Sequence, residues 1–102
     1  MTPKETLLKA ADILETKGWT QEYFARNKKG EMTNVIGDAT CFCAMGAISA
    51  AEGGPYVSIY DKETVKYLGE HVDDLVFRWN DAPDQTAVNV IKIMRECAES
   101  LS

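Results

Sequence analysis

The chain has 102 residues, 45% of them hydrophobic, and sixteen acidic against eleven basic side chains give it a formal charge of -5. A chain of this mass buries roughly 10,000 Å² on folding, enough core for one domain over residues 1–102 without disulfides or metals. These figures exclude a disordered tail, a collagen-like repeat and a cystine-stapled miniprotein.

Thr2-Pro3-Lys4-Glu5 reads as a helix start, with Thr2 as cap, Pro3 at the first helical position and Glu5 closing a capping box. Leu7, Ala10, Ala11 and Leu14 then mark one face and Gly18 ends the segment, so a helix is predicted over 3–17. Next, Tyr23-Phe24-Ala25-Arg26 and Glu31-Met32-Thr33 flank Asn27-Lys28-Lys29-Gly30. That pattern predicts a short β-hairpin near residues 23–33, although Thr20–Tyr23 also has the composition of a helical turn. A two-stranded ribbon is marginal alone, so it must rest on helices.

Residues 41–51 contain a single polar residue, Ser49, and predict a helix buried all round. Gly46, Ala47, Ala50 and Ala51 keep its surface thin, Asp38 or Thr40 is its expected cap, and Glu52-Gly53-Gly54-Pro55 ends it. Tyr56–Tyr60 alternates as a short extended piece, and Asp61 is expected to cap a helix over about 62–69. A further short helix is predicted from Val72 to Trp79, broken at Asn80-Asp81-Ala82-Pro83 because proline forces Ala82 out of helical geometry. Asp84 or Thr86 starts the last helix, whose packing stripe is Ala87, Ile91, Met94, Ala98 and Leu101, widened by Val88, Val90 and Cys97. The predicted fold is mostly α, a small bundle of about five helices with one hairpin.

No run approaches the roughly 18 to 20 apolar residues of a membrane span, and the N-terminal segment lacks a secretory h-region. Three cysteines, two of them in Cys41-Phe42-Cys43, suit free thiols in a reducing cytoplasm. Residues 1–51 hold six acids and six bases, whereas residues 52–102 hold ten acids and five bases. That balance argues against general nucleic-acid binding, which needs basic patches, and suits an acidic docking face. The local basic cluster Arg26, Lys28 and Lys29 reads as a solvated turn.

Three constellations have chemical potential. Cys41, where the central helix is expected to begin, would have its thiolate favoured by the helix dipole. With His71, the only histidine, as base and Asn80 or Asp81 to orient it, the set resembles that of a thiol hydrolase or transferase. Against this, free cysteines are usually buried core residues. Cys41, Cys43, His71 and Cys97 also add up to four zinc-type ligands, but C-x-C places two helical thiols roughly 200° apart. Structural zinc prefers C-x₂₋₄-C, so neither a metal nor another cofactor is expected. Finally, Trp79-Asn80-Asp81-Ala82-Pro83 is either a tight helix-ending turn or the wall of a polar pocket. In the pocket reading Trp19 and Trp79 are walls and Asn80 and Asp81 read the ligand. There is no P-loop, G-x-G-x-x-G, G-x-S-x-G or H-E-x-x-H.

Gly18-Trp19-Thr20, then Cys41-Phe42-Cys43-Ala44-Met45-Gly46-Ala47, then Trp79-Asn80-Asp81-Ala82-Pro83 occur in this order. With these C-x-C-A-x-G-A and W-N-D-x-P motifs, nearly the whole chain resembles a small family catalogued as a domain of unknown function, found in actinobacteria, other bacteria and their phages. Members of that family often have Trp at the position of Phe42 and Leu at that of Met45, and its pattern has no counterpart of His71. The resemblance implies a prokaryotic or phage cytoplasmic protein and supplies no activity, cofactor or catalytic residue.

The expectation is a non-enzymatic, phage-encoded binding protein. It acts on a host protein such as defence machinery, or sequesters a small ligand, through Trp19, Trp79, Asn80 and Asp81. The alternatives are a thiol enzyme using Cys41, His71 and Asp81, and a structural homodimer formed through the stripe on residues 87–101. A monomer and a homodimer are both open, and neither a membrane nor nucleic acid is an expected partner.

Overall fold

Helix α1 (Pro3–Thr16) begins where Thr2 closes the expected capping box. The Thr2 hydroxyl accepts from the Glu5 N–H and the Glu5 carboxylate from the Thr2 N–H, each at 3.2 Å. These bonds satisfy two of the three orphan donors at the helix start, Pro3 having no N–H. Thr6, Leu7, Ala10, Ala11 and Leu14 face inward. This face packs against α2 (Ala44–Glu52) and α5 (Ala87–Ser100). The computed structural model describes residues 1–58 and 62–101. Ile59 and Tyr60 of the expected extended piece, and the expected cap Asp61, lie outside them.

A two-stranded antiparallel sheet lies beside the helices, and five helices stand among the described residues, as the mostly α reading expects. The turn predicted at residues 27–30 is present. Asn27 Oδ1 accepts from the N–H groups of Lys29 and Glu31, at 2.9 and 3.1 Å, and Arg26 bridges Met32. The ladder itself forms between β1 (Ala25–Asn27) and β2 (Ala39–Phe42), in the register Ala25↔Phe42, Arg26↔Cys41 and Asn27↔Ala39. The expected hairpin pairing is kept on the other edge of β1, where the Asn27 N–H donates to the Glu31 carbonyl at 2.8 Å and the Thr33 N–H to the Ala25 carbonyl at 3.1 Å. Ala39 and Phe42 of β2 enter the core, whereas Glu31 and Met32 face solvent. Thr40 is the extra residue of the bulge, and its hydroxyl donates to the Arg26 carbonyl at 3.3 Å.

The buried central helix starts three residues later than its composition suggests, at Ala44. Cys41 and Phe42 are strand, and the cap is Cys43, whose Sγ accepts from the Gly46 N–H at 3.3 Å, in place of Asp38 or Thr40. Backbone pairing holds the chain extended to this point, because the Cys43 N–H donates to the Phe24 carbonyl at 3.0 Å. Gly46 is required by the same approach: a Cβ there would lie 2.0 Å from the Phe24 carbonyl oxygen. Ser49, the polar exception in this helix, accepts from the Ser58 N–H at 2.7 Å and anchors the segment that follows.

Helix α3 (Lys62–Val72) runs beyond residue 69, and α4 (Val76–Asn80) starts four residues after the predicted Val72. Asp73, in the left-handed region at φ +55°, and Asp74, which accepts from the Leu75 N–H at 2.7 Å, make the break. Thr86 caps α5 by accepting from the Asn89 N–H at 3.1 Å. Val90, Met94, Cys97 and Ala98 of α5 are buried, whereas Val88 is 78% exposed and does not belong to the packing stripe. On the rim of the α1–α5 contact, Arg95 forks to Asp12 and Glu15, 2.9 Å to each.

Candidate binding site

The three sequence motifs meet at one side chain. Asn80, the last residue of α4, is 1% exposed. Its Oδ1 accepts from Trp19 Nε1 at 2.8 Å and from the Ala44 N–H at 3.0 Å. Its Nδ2 donates to the Thr20 carbonyl at 3.1 Å and to Asp81 Oδ1 at 3.0 Å. Both partners of Oδ1 are obligate donors and both partners of Nδ2 are acceptors, so only one amide orientation satisfies all four bonds. Gly18-Trp19-Thr20, the start of α2 and the W-N-D turn are thereby fastened together. Gln21 reinforces the joint, its Nε2 donating to the carbonyls of Asn80 and Ala82 at 3.1 and 2.9 Å.

Asp81 sits at the edge of this joint. Its Oδ1 accepts from the Glu22 N–H at 2.9 Å as well as from Asn80, while Oδ2 has no partner among the described residues. Glu22 adopts φ +76°, a left-handed conformation that costs a non-glycine residue about 1 kcal/mol or more. The bond to Asp81 holds it there.

Beside Asp81 opens a pocket of about 440 Å³, within the size range of ligand sites. Its walls are Tyr23, Phe24, Met32 and Phe77, and Glu22, Asn34, Cys43 and Asp81 supply further polar groups. Tyr23, Met32 and Phe77 are 43%, 55% and 55% exposed, large apolar side chains gathered round one opening.

Of the four residues expected to line a contact surface, Asn80 and Asp81 reach this pocket, and the two tryptophans are not among its lining. Trp19 and Trp79 are half-buried against the core, and the Trp19 indole N–H is engaged by Asn80. The Asn80 amide is saturated within the fold, which leaves Asp81 Oδ2 as the available side-chain polar atom of the two residues that reach the pocket. The sequence does not mark Tyr23, Met32 and Phe77 as site residues. Tyr23 and Met32 read there as arms of the hairpin, and the one signal for Phe77 is an aromatic within a short, polar-flanked helix.

The thiol set is arranged differently from its expectation. Cys41 is half-buried in β2 and the cysteine at the helix start is Cys43. Burial pushes the Cys43 thiol up to about 11, with the nearby Asp81 charge acting in the same direction. Backbone N–H groups of Gly46 and Met45 pull the other way and lose. Cys43 is therefore a neutral thiol at pH 7. His71 is exposed near the end of α3 and has no hydrogen bond among the described residues. All three cysteines are free, and among the described residues no cluster of three or more His, Cys, Asp or Glu side chains is placed to hold a metal. Arg26 is not a solvated turn charge. Its guanidinium donates to Thr20 Oγ1 at 2.8 Å and to the carbonyls of Gly30 and Gln21 at 3.0 and 3.3 Å.

Fold and site together define a small, mostly α protein with an open, apolar-walled pocket beside a saturated polar joint. Residues 1–100 match a family described as of unknown function, DUF6197, and the chain belongs to that family. No curated protein and no solved structure matches it. No helix among the described residues is long and apolar enough to cross a membrane.

Proposed function

We propose that this protein is a non-enzymatic binding protein that holds a protein partner at the pocket framed by Tyr23, Met32 and Phe77. The observation that supports this reading is the exposure of those three side chains round a single opening. Large apolar residues left in water at one place are characteristic of contact surfaces, where aromatics and methionine are enriched. Binding is favoured over thiol chemistry because Cys41, the candidate nucleophile, lies in strand β2 away from the helix start, and the cysteine at that start, Cys43, is buried. The setting follows the phage-associated resemblance: a phage-encoded protein acting on a bacterial host component, such as defence machinery, in a reducing cytoplasm.

The test is native mass spectrometry of untagged protein repurified from a bacterial lysate, for the wild type and for Phe77→Ser. A protein-sized added mass on the wild type, lost from a folded Phe77→Ser variant, supports the reading. A small-molecule mass lost in the same way transfers it to ligand sequestration. Bare monomer or dimer masses for both proteins overturn it.

A further inference from the structure

We propose that the pocket recognises a positively charged side chain, a lysine ammonium or an arginine guanidinium on the protein partner. Asp81 Oδ2 is its counter-ion, and Tyr23 and Phe77 pack on its stem. The inference rests on the binding reading above and names the chemistry of the contact.

Several observations carry it. The acidic side chains lining the pocket are Glu22 and Asp81, and no Lys, Arg or His is among its lining. Arg26, outside the lining, pairs with the Glu22 carboxylate at 4.0 Å, so the acidic group without a cationic partner is Asp81, and an anionic ligand would meet it as a like charge.

Asp81 is also pre-set. Its Oδ1 is held by the Glu22 N–H at 2.9 Å and by Asn80 Nδ2 at 3.0 Å, and Asn80 is itself fixed by Trp19 and the start of α2. The carboxylate therefore does not have to be ordered when a ligand arrives, and Oδ2 remains open. An uncharged apolar ligand would strip water from that oxygen and return nothing, whereas a cation replaces the lost hydration with a charge-assisted hydrogen bond.

The walls fit the rest of such a side chain. Lysine and arginine have apolar stems beneath a charged head, which suits aromatic and thioether walls next to a carboxylate. The molecule already contains this arrangement once. The guanidinium of Arg26 lies 4.6 Å from the centroid of the Tyr23 ring, with a Glu22 carboxylate oxygen at 4.0 Å. Arg26 is held by Thr20, Gln21 and Gly30, so Asp81 keeps its charge for an incoming group. Finally, the net charge of -5 favours the approach of a basic partner.

The experiment is an amide-resolved NMR titration of the whole chain with four small probes. These are the N-acetyl methylamides of lysine and arginine and their uncharged counterparts, norleucine and citrulline. The amides of Glu22, Phe24 and Asp81 are expected to move with the charged probes at concentrations at least about fivefold below those needed with the neutral ones. Asp81→Asn keeps an oxygen for the Glu22 and Asn80 donors and should remove that preference. Glu22→Gln, which leaves the Asn80 joint untouched, should reduce it even if Asp81→Asn does not fold.

Equal shifts from charged and neutral probes overturn charge recognition and leave the binding reading standing. No shift of the pocket amides by any probe up to about 50 mM, a concentration at which binding weaker than millimolar is still seen, overturns it outright. A lysate partner lost from Phe77→Ser and retained by Asp81→Asn would likewise sink the charge inference alone. A preference for lysine over arginine, or the reverse, identifies which head group the pocket suits.

Discussion

Two neighbouring regions share Asp81 and treat it in opposite ways. On one side, the Asn80 amide at the centre of the joint makes four hydrogen bonds, two at Oδ1 and two at Nδ2, and is sealed from water. On the other, the pocket leaves three large apolar side chains exposed and one carboxylate oxygen without a partner among the described residues. Polar saturation with burial is the mark of a group that holds a fold together. Unused capacity at the surface is the mark of a group kept for something else. The contrast places Trp19, Asn80 and Gly46 in the scaffold, and the proposed function gives recognition to Tyr23, Met32, Phe77 and Asp81 Oδ2.

The strongest way to break this division is Asn80→Ala. It strands the Trp19 and Ala44 N–H groups and the Thr20 carbonyl together, and each unsatisfied buried group costs about 1–3 kcal/mol. A loss of about 4 kcal/mol is expected, read as a fall in the urea midpoint at unchanged slope. A loss under 1 kcal/mol would make the joint ornamental.

Gly46→Ala comes next. Alanine is the better helix former by about 1 kcal/mol, so helix propensity alone predicts stabilisation. The Phe24 carbonyl oxygen 2.0 Å from the new Cβ predicts the reverse, a loss of about 3 kcal/mol by overpacking. The sign of the change decides between them.

The elements were more legible in the sequence than the site, for physical reasons that differ from place to place. Thr2, Pro3 and Glu5 announce α1 because a capping box is local chemistry, complete within four residues. The start of α2 was misplaced because what delays it is the Phe24 carbonyl, some twenty residues upstream, and no local pattern encodes that bond. For the same reason only one of the two partners of β1 is legible: the hairpin turn at Asn27 is local and joins β1 to residues 31–33, whereas its pairing with the more distant β2 has no local signal. The W-N-D motif stood out as a set of polar residues beside aromatics, which signals either a ligand site or a joint. Only the partners of Asn80, at separations of 36 to 61 residues, separate the two.

Cys43 provides a smaller effect with a definite sign. Its thiol titrates near 11 in the fold, against an ordinary value of 9.0. Below pH 9 folded and unfolded chains both keep the proton, and the stability is intact. Between pH 9 and 11 the unfolded chain releases it and the folded chain does not, so stability falls as pH rises. Two units at 1.36 kcal/mol each make this about 3 kcal/mol. Cys43→Ser keeps an acceptor for the Gly46 N–H, so the variant should fold and show that much less alkaline loss in parallel denaturant titrations. An unchanged alkaline slope would mean that the thiol is hydrated in the folded state.

The smallest effect on stability is also the one that best sharpens the comparison. Phe77 lies on the short helix α4, three residues before Asn80, and is 55% exposed. If it belongs to recognition, Phe77→Ser removes surface that water already wets, and its urea midpoint should correspond to a change within about 0.5 kcal/mol. A cost above about 1.5 kcal/mol would mean that the ring packs as core, and the rim would join the joint as scaffold. A near-zero cost with loss of the partner separates the roles cleanly. Two residues three positions apart on one helical turn would then differ by several kcal/mol in stability and in the opposite order for binding. That difference would follow from position along the helix: Asn80, at its end, reaches the N–H groups of Trp19 and Ala44, while Phe77, nearly one turn earlier, reaches solvent.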